Sequence, residues 1–175
     1  DAMLVPVPAG VDPAVIASAS DNIPDAWRAV GPQLANEPGA EVLVVGGDGG
    51  PHSIGLYAVG LALAAGAAAV TYVDTDPQRL SIAEKYGASV IDRVPDRKVG
   101  SFAITVDSSS TEAGLRCALN STAADGVCTS TSVYLQDPQI PMFAMYSRCC
   151  TLHAGRAHVR PAIPEVLALV ADRQF

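Results

Sequence analysis

The chain of 175 residues has little charge, few aromatic side chains and no excess of basic residues. Charged residues make up 17% and aromatic residues 5%, whereas hydrophobic residues make up 49%. This composition excludes a disordered chain and predicts one buried core. Acidic residues outnumber basic ones, 18 to 11, so nucleic acid is not expected as a partner because its phosphates would be repelled.

The sequence also lacks cysteines at the spacing of a structural zinc site. Its four cysteines are Cys117, Cys128, Cys149 and Cys150. None of them forms a C-x-x-C pair, and we expect all four to be small buried side chains. Reduced thiols of this kind fit a cytoplasmic protein.

No basic leader precedes an apolar segment, so we expect no secretion signal. The most apolar stretch, residues 54–73, contains Gly60 and Gly66 and is followed by Asp74. This pattern indicates a helix followed by a strand, so no membrane span is expected.

Apolar runs alternate with helical patterns from residue 41 onward. Predicted strands cover residues 41–45, 69–73, 90–91, 102–106, 126–131 and 149–157. Predicted helices cover residues 13–20, 24–35, 53–65, 77–86, 111–120 and 164–172. Strands that are apolar along their whole length are typical of buried parallel strands. The sequence therefore predicts an α/β fold, a doubly wound parallel sheet of about six strands in residues 39–175, with a helical extension in residues 1–38.

A glycine-rich loop joins the first predicted strand to the next helix in residues 44–55 (VVGGDGGPHSIG). Glycine lets the backbone approach a pyrophosphate, and the start of the helix offers N–H groups to it. The candidate binding residues here are Gly47, Gly49, Gly50, Ser53, Ile54 and Gly55. The spacing departs from G-x-G-x-x-G, because His52 stands where a count from Gly47 requires glycine. Asp48 would be unfavourable near a pyrophosphate unless it points away.

Asp74 follows the second predicted strand, about 20 residues beyond the loop, where dinucleotide-binding folds place a carboxylate for the ribose hydroxyls. Such a carboxylate repels a 2′-phosphate, which favours NAD over NADP. Taken singly, the loop could be an ordinary turn and Asp74 a strand-end cap. Together, in a strand–loop–helix–strand frame, they predict a nucleotide site.

Nine segments in order resemble the cofactor domain of the zinc-type medium-chain alcohol dehydrogenases, in particular the formaldehyde- or threonine-dehydrogenase-like branch. They are residues 41–47 (EVLVVGG), 53–59 (SIGLYAV), 73–80 (VDTDPQRL), 83–88 (AEKYGA), 102–107 (FAITVD), 114–119 (GLRCAL), 125–128 (DGVC), 151–156 (TLHAGR) and 164–170 (PEVLALV). The resemblance implies a Rossmann fold and NAD as cofactor. In a complete protein it implies hydride transfer between a small alcohol or aldehyde and NAD.

The resemblance also assigns individual residues. Arg79 would lie near the adenosine ribose, and residues 107–109 and 131–133, which include Ser108 and Thr131, would line the nicotinamide side. In this family a separate domain carries the zinc ligands and the substrate pocket; no such motif is found here, so we expect no catalytic residue and no turnover from this chain alone. Residues 20–24 (SDNIP) are similar to a segment that supplies the last zinc ligand, which makes Asp21 a candidate ligand when that domain is present. Alternatively, Asp21 caps the helix that begins at Pro24.

Members of the family often dimerise through the last strand of this domain, and residues 140–146 with the strand after them predict a homodimer here. A competing hypothesis is a non-catalytic nucleotide-binding or assembly module with a degenerate glycine loop. A weaker one is a methyltransferase, which would show an antiparallel hairpin at the end of its sheet.

Overall fold

The computed structural model describes residues 4–172 and 175, and within them six strands form one sheet. The strands are β1 (Val42–Val45), β2 (Val70–Val73), β3 (Ser89–Ile91), β4 (Phe102–Asp107), β5 (Thr122–Ser130) and β6 (Thr151–His153). Their order is β3-β2-β1-β4-β5-β6, and every neighbouring pair is parallel. This is the order of the doubly wound dinucleotide-binding fold, so the predicted fold class is confirmed. A methyltransferase would require an antiparallel hairpin at the end of the sheet, and the described strands include none.

Helices cover both faces of the sheet. They are α1 (Asn22–Asn36), α2 (His52–Ala64), α3 (Pro77–Tyr86), α4 (Glu112–Ser121), α5 (Met142–Arg148) and α6 (Val159–Ala171), and a short 3-10 turn spans Ala17–Ser20. Successive side chains of a strand point to opposite faces, so Val42 and Val44 of β1 pack among the residues of α1 and α2, while Leu43 and Val45 pack against α4. All four are fully buried, which explains why β1 is apolar at every position.

Two predicted helices differ in extent from the observed ones. The helix predicted over residues 13–20 is reduced to the 3-10 turn, in a segment that carries few buried side chains. α6 begins at Val159, not at Pro164, which lies inside the helix. Pro161 lies in its first turn, where a missing N–H costs nothing.

The segment before β6 also differs from the prediction. α5 lies in residues 132–148, for which the sequence predicts neither a helix nor a strand. Of the strand predicted over residues 149–157, only Thr151–His153 is formed. Cys149 ends α5 in a left-handed conformation with φ 55°, and its side chain is exposed. The prediction that all four cysteines are buried is therefore wrong for Cys149, and Cys150 is half-buried.

The apolar stretch of residues 54–73 is divided between α2 and β2, as predicted. Over residues 4–172 and 175, none of the helices combines the length and the hydrophobicity needed to cross a bilayer.

Candidate nucleotide-binding site

The predicted site residues come together at the carboxyl edge of the sheet. The glycine loop, residues 46–51, follows β1 and leads into α2. Asp74 follows β2, Ser108 follows β4, and Thr131 follows β5, and all of these strands run in the same direction. Doubly wound sheets bind their ligands at this edge, on either side of the first strand.

The glycine loop lies against the segment that follows β4. The N–H of Gly49 donates a hydrogen bond of 3.1 Å to the carbonyl oxygen of Ser109. A Cβ at Gly49 would lie 2.6 Å from the carbonyl oxygen of Ser110, and one at Gly50 would collide with the Ser110 hydroxyl. At Gly55 the nearest atom, Cβ of Ser108, would be 3.4 Å away, an ordinary contact. Glycine is thus required at Gly49, where the obstacle is backbone, and at Gly46, where a Cβ would lie 2.5 Å from Oδ2 of Asp74. At Gly50 the obstacle is a hydroxyl that can rotate, and at Gly47 the nearest atoms, those of Ser109, would be 3.1 Å away.

α2 begins at His52 without a side-chain cap. The first N–H groups of a helix have no intrahelical partner and carry partial positive charge, so this end of α2 is suited to an anion. The hydroxyl of Ser53 accepts a hydrogen bond of 3.1 Å from Nδ2 of Asn22 in α1. Ser53 therefore also links the helix to its neighbour.

Asp74 lies beside the start of the loop, as predicted, but its carboxylate is fully buried and surrounded by donors. It accepts hydrogen bonds from the Tyr72 hydroxyl at 2.5 Å, from Nε and Nη2 of Arg79 at 2.8 and 2.7 Å, and from the N–H groups of Thr75 and Asp76 at 2.6 and 3.0 Å. A carboxylate has about four lone-pair directions, so these five donors use its whole capacity.

These contacts determine the charges at neutral pH. Burial alone would raise the pKa of Asp74, but the hydrogen bonds from Arg79, Tyr72 and the two amides outweigh it and hold that pKa below its ordinary value of 3.8. The hydrogen bond with Asp74 raises the pKa of Arg79. Burial, and then the hydrogen bond to Asp74, raises the pKa of Tyr72. Asp74 and Arg79 are therefore both charged.

Arg79 also reaches the glycine loop. Its Nη2 donates to Oδ1 of Asp48 at 2.5 Å, so one guanidinium joins the loop to the end of β2. The Asp48 side chain is 72% exposed, and that of Arg79 is 10% exposed. Sequence reasoning missed this pair, although an acidic residue inserted in a glycine loop, with an arginine five positions after the strand-end acid, was a usable signal.

A cavity of about 570 Å³ lies at this edge, between the start of α2 and the segment that follows β5. Ile54 and Thr131 line it together with Asp21 and Tyr134. The hydroxyls of Ser108 and Thr131 are 2.9 Å apart and buried. The structure thus places three residues predicted from separate segments, at positions 21, 54 and 131, around one cavity.

Asp21 precedes α1, but its side chain makes no capping hydrogen bond. The alternative role as a helix cap is therefore not realised by its carboxylate. Within residues 4–172 and 175, no group of three or more His, Cys, Asp or Glu side chains is arranged to hold a metal ion. A zinc role for Asp21 would need ligands from elsewhere.

A second buried carboxylate, in the segment 107–109 that the resemblance assigns to the nicotinamide side, holds Tyr134 in the wall of this cavity. Asp107 at the end of β4 accepts hydrogen bonds from the hydroxyls of Ser109 and Ser130 at 2.7 Å each and from the hydroxyl of Tyr134 at 2.8 Å. Burial, followed by the charge of Asp107, raises the pKa of Tyr134, which therefore stays protonated and donates. The network fixes Tyr134 across the ends of β4 and β5.

Several solved structures of dehydrogenases share the fold of this chain. An alcohol dehydrogenase from Thermus sp. ATN1 matches with a TM-score of 0.78 and 25% identity, over 98% of this chain and 51% of that one. L-idonate 5-dehydrogenase from Escherichia coli matches with a TM-score of 0.78 and 23% identity, over 98% and 49%. A zinc-binding dehydrogenase from Sinorhizobium meliloti 1021, bound to NADP, matches with a TM-score of 0.74 and 19% identity, over 95% and 53%. No protein-family model and no curated protein matches the sequence.

The strand order and the loop at its carboxyl edge define a Rossmann-type dinucleotide-binding fold. The resemblance to the Rossmann domain of the zinc-type medium-chain dehydrogenases is confirmed. The chain spans about half the length of the dehydrogenase structures that it matches.

Proposed function

We propose that this chain is the NAD-binding domain of a zinc-dependent, alcohol dehydrogenase-like oxidoreductase. One observation carries the proposal: the glycine loop, the uncapped start of α2 and the cavity of about 570 Å³ adjoin one another at the carboxyl edge of a sheet with this strand order. NAD, when bound, supplies the hydride acceptor for an alcohol. Zinc and the substrate pocket belong to a further domain, so this chain alone is expected to show no turnover.

The residues that would hold NAD divide into three groups. The N–H groups of Gly50, His52 and Ser53 would bind the pyrophosphate. Ile54, Thr131 and Tyr134 line the cavity proposed for the nicotinamide. Asp74 and Arg79 stand where the adenosine ribose would lie.

The fit differs between the two ends of the site. The cavity at the nicotinamide end is open to a ligand. At the ribose end the acceptors of Asp74 are already used, so a ribose oxygen would bind to the guanidinium of Arg79 rather than to Asp74. The group of Asp48, Asp74 and Arg79 carries two negative charges and one positive charge, which supports NAD over NADP because a 2′-phosphate adds two more negative charges.

Calorimetric titration of the chain with NAD, NADP and ADP-ribose tests the proposal. We expect NAD and ADP-ribose to bind, both more tightly than NADP. A Gly49→Val variant should lose binding, because its side chain would collide with the carbonyl oxygens of Ser109 and Ser110. Failure of the wild-type chain to bind any of the three would contradict the proposal and favour the assembly module.

Assembly is also proposed, as a homodimer through the edge of the sheet at β6. Large apolar side chains are exposed along α5, next to β6: Met142, Phe143 and Tyr146. A dimer that pairs β6 with its copy would cover them and complete the edge.

The four cysteines are free, which supports a reducing compartment such as the cytoplasm.

A further inference from the structure

We infer that Asp48 lowers the nucleotide affinity of this chain by competing with the ligand for Arg79. The inference rests on the proposed function, because it concerns the adenosine end of the same site. It starts from the position of Asp48 inside the glycine loop, four residues before the start of α2 at His52, with its carboxylate on Nη2 of Arg79.

The two carboxylates bound to Arg79 are not equivalent. Asp74 is fully buried and has five donors, two of them from Arg79. Asp48 is largely exposed and belongs to a loop. An exposed ion pair contributes little to stability, whereas breaking a buried ion pair is strongly destabilising. Asp48 is therefore the partner that a ligand displaces.

Asp48 and the ligand would share one guanidinium, of whose five N–H groups Asp74 takes two and Asp48 takes one. An Nη nitrogen carries two N–H groups, and on Nη2 one is directed to Asp74 and the other to Asp48. Asp74 has no acceptor left for a ribose hydroxyl, so the guanidinium is the group at this end that a ribose oxygen can bind. Release by Asp48 frees a further N–H group for the ligand and removes the negative charge that offsets the charge of Arg79.

Asp48 acts on the phosphates as well. Its negative charge lies in the loop beside the start of α2 and offsets the partial positive charge of the helix end. A pyrophosphate held by the same loop would be repelled by it. The competition for Arg79 and the repulsion of the pyrophosphate both lower the affinity for the nucleotide. The repulsion weakens as the salt concentration increases.

The experiment compares wild type, Asp48→Asn and Glu41→Gln by calorimetric titration with ADP-ribose at low and high NaCl. Glu41 is exposed at the opposite, amino edge of the sheet, so its variant makes the same charge change away from the site. We expect Asp48→Asn to bind ADP-ribose about three- to tenfold more tightly, with a smaller gain at high salt, and Glu41→Gln to bind like wild type. Thermal unfolding of each variant verifies that it is folded.

The possible results separate this inference from the proposed function. If wild type binds ADP-ribose and Asp48→Asn binds equally or more weakly, the inference is overturned while the site stands. Binding by Asp48→Asn alone supports the inference. Absence of binding by both proteins contradicts the nucleotide site itself, and the inference with it.

Discussion

Arg79 donates two hydrogen bonds to the carboxylate of Asp74, from Nε to Oδ2 at 2.8 Å and from Nη2 to Oδ1 at 2.7 Å. The paired geometry matches the planar guanidinium to the planar carboxylate, which is the strongest form of this ion pair. Because Asp74 is fully buried, the arginine is needed by the fold whether or not a ligand binds. The structural role of the pair can therefore be measured without a cofactor.

Replacement of Arg79 by Met should destabilise the chain by about 3–5 kcal/mol at neutral pH, because it leaves a buried carboxylate without its cation. Urea unfolding measures the effect. Lys85→Met is the matched control, since Lys85 is an exposed cation on the same helix, α3. A free energy of unfolding for Arg79→Met within 1 kcal/mol of that of the control would show that Asp74 is not buried with its charge.

The stability that Asp74 provides should depend on pH with a definite sign. Its pKa in the folded chain lies below the ordinary value of 3.8, so folding favours the ionised form. The contribution is complete above that ordinary value and is lost as the pH falls through the lower folded pKa. The free energy difference between wild type and Asp74→Asn should thus stay constant from pH 7 to 5 and shrink below pH 4.

A second variant makes the pH test specific. Tyr72→Phe keeps the carboxylate but removes one of its donors, so the folded pKa of Asp74 should rise toward its ordinary value. The pH-dependent contribution of Asp74 should then be smaller, and its loss should be complete at a higher pH than in wild type. Urea unfolding from pH 7 to pH 3 gives both curves. A difference between wild type and Asp74→Asn that grows as the pH falls would contradict the assigned direction.

The sequence predicts the sheet well because its strands are apolar runs bounded by glycine, proline or acidic residues. β1, β2 and β4 begin and end within a residue or so of their predicted positions, since a strand buried on both faces admits few polar residues. α3 is also predicted closely, with Pro77 in its first turn and Gly87 at φ 102° after its end.

α5 was missed because its pattern gives no helical signal. It has seven residues, follows Pro141, and exposes most of its apolar side chains, so apolar positions do not mark a buried face. The Asp48–Arg79–Asp74 network was missed for a different reason. Spacing places Asp74 at the end of β2. It does not show which groups donate hydrogen bonds to Asp74, because that depends on the directions of side chains in separate segments.

Asp107→Asn should destabilise the chain by about 2–3 kcal/mol, because an amide in place of the carboxylate loses an acceptor and brings a donor against the hydroxyls of Ser130 and Tyr134. It should also weaken the binding of NAD more than that of AMP, since Tyr134 lines the cavity that we propose for the nicotinamide. Chemical unfolding and calorimetry measure the two effects. Equal losses for NAD and AMP would contradict the placement of the nicotinamide.

The two glycines at positions 49 and 55 should respond in opposite ways to alanine. Gly49→Ala forces the loop off the Ser110 carbonyl and should weaken ADP-ribose binding at least fivefold, at a cost of about 1–3 kcal/mol in stability. Gly55→Ala meets only an ordinary contact inside α2 and should stabilise the chain by up to about 1 kcal/mol through helix propensity. Thermal unfolding together with calorimetry compares the two variants. Strong destabilisation by Gly55→Ala would mean that α2 packs more closely on the sheet than its contacts indicate.

The exposed apolar side chains of α5 should matter for assembly. Phe143 is 82% exposed, so Phe143→Lys costs the isolated chain little, but it would place a charge inside a dimer interface beside β6. We expect sedimentation velocity to show a wild-type dimer whose dissociation constant rises at least tenfold in this variant. Val15→Lys, at a 66% exposed residue in the N-terminal segment, should leave the dimer intact. A wild-type chain that sediments as a monomer at high concentration would rule out pairing through β6, and these side chains would then need another partner.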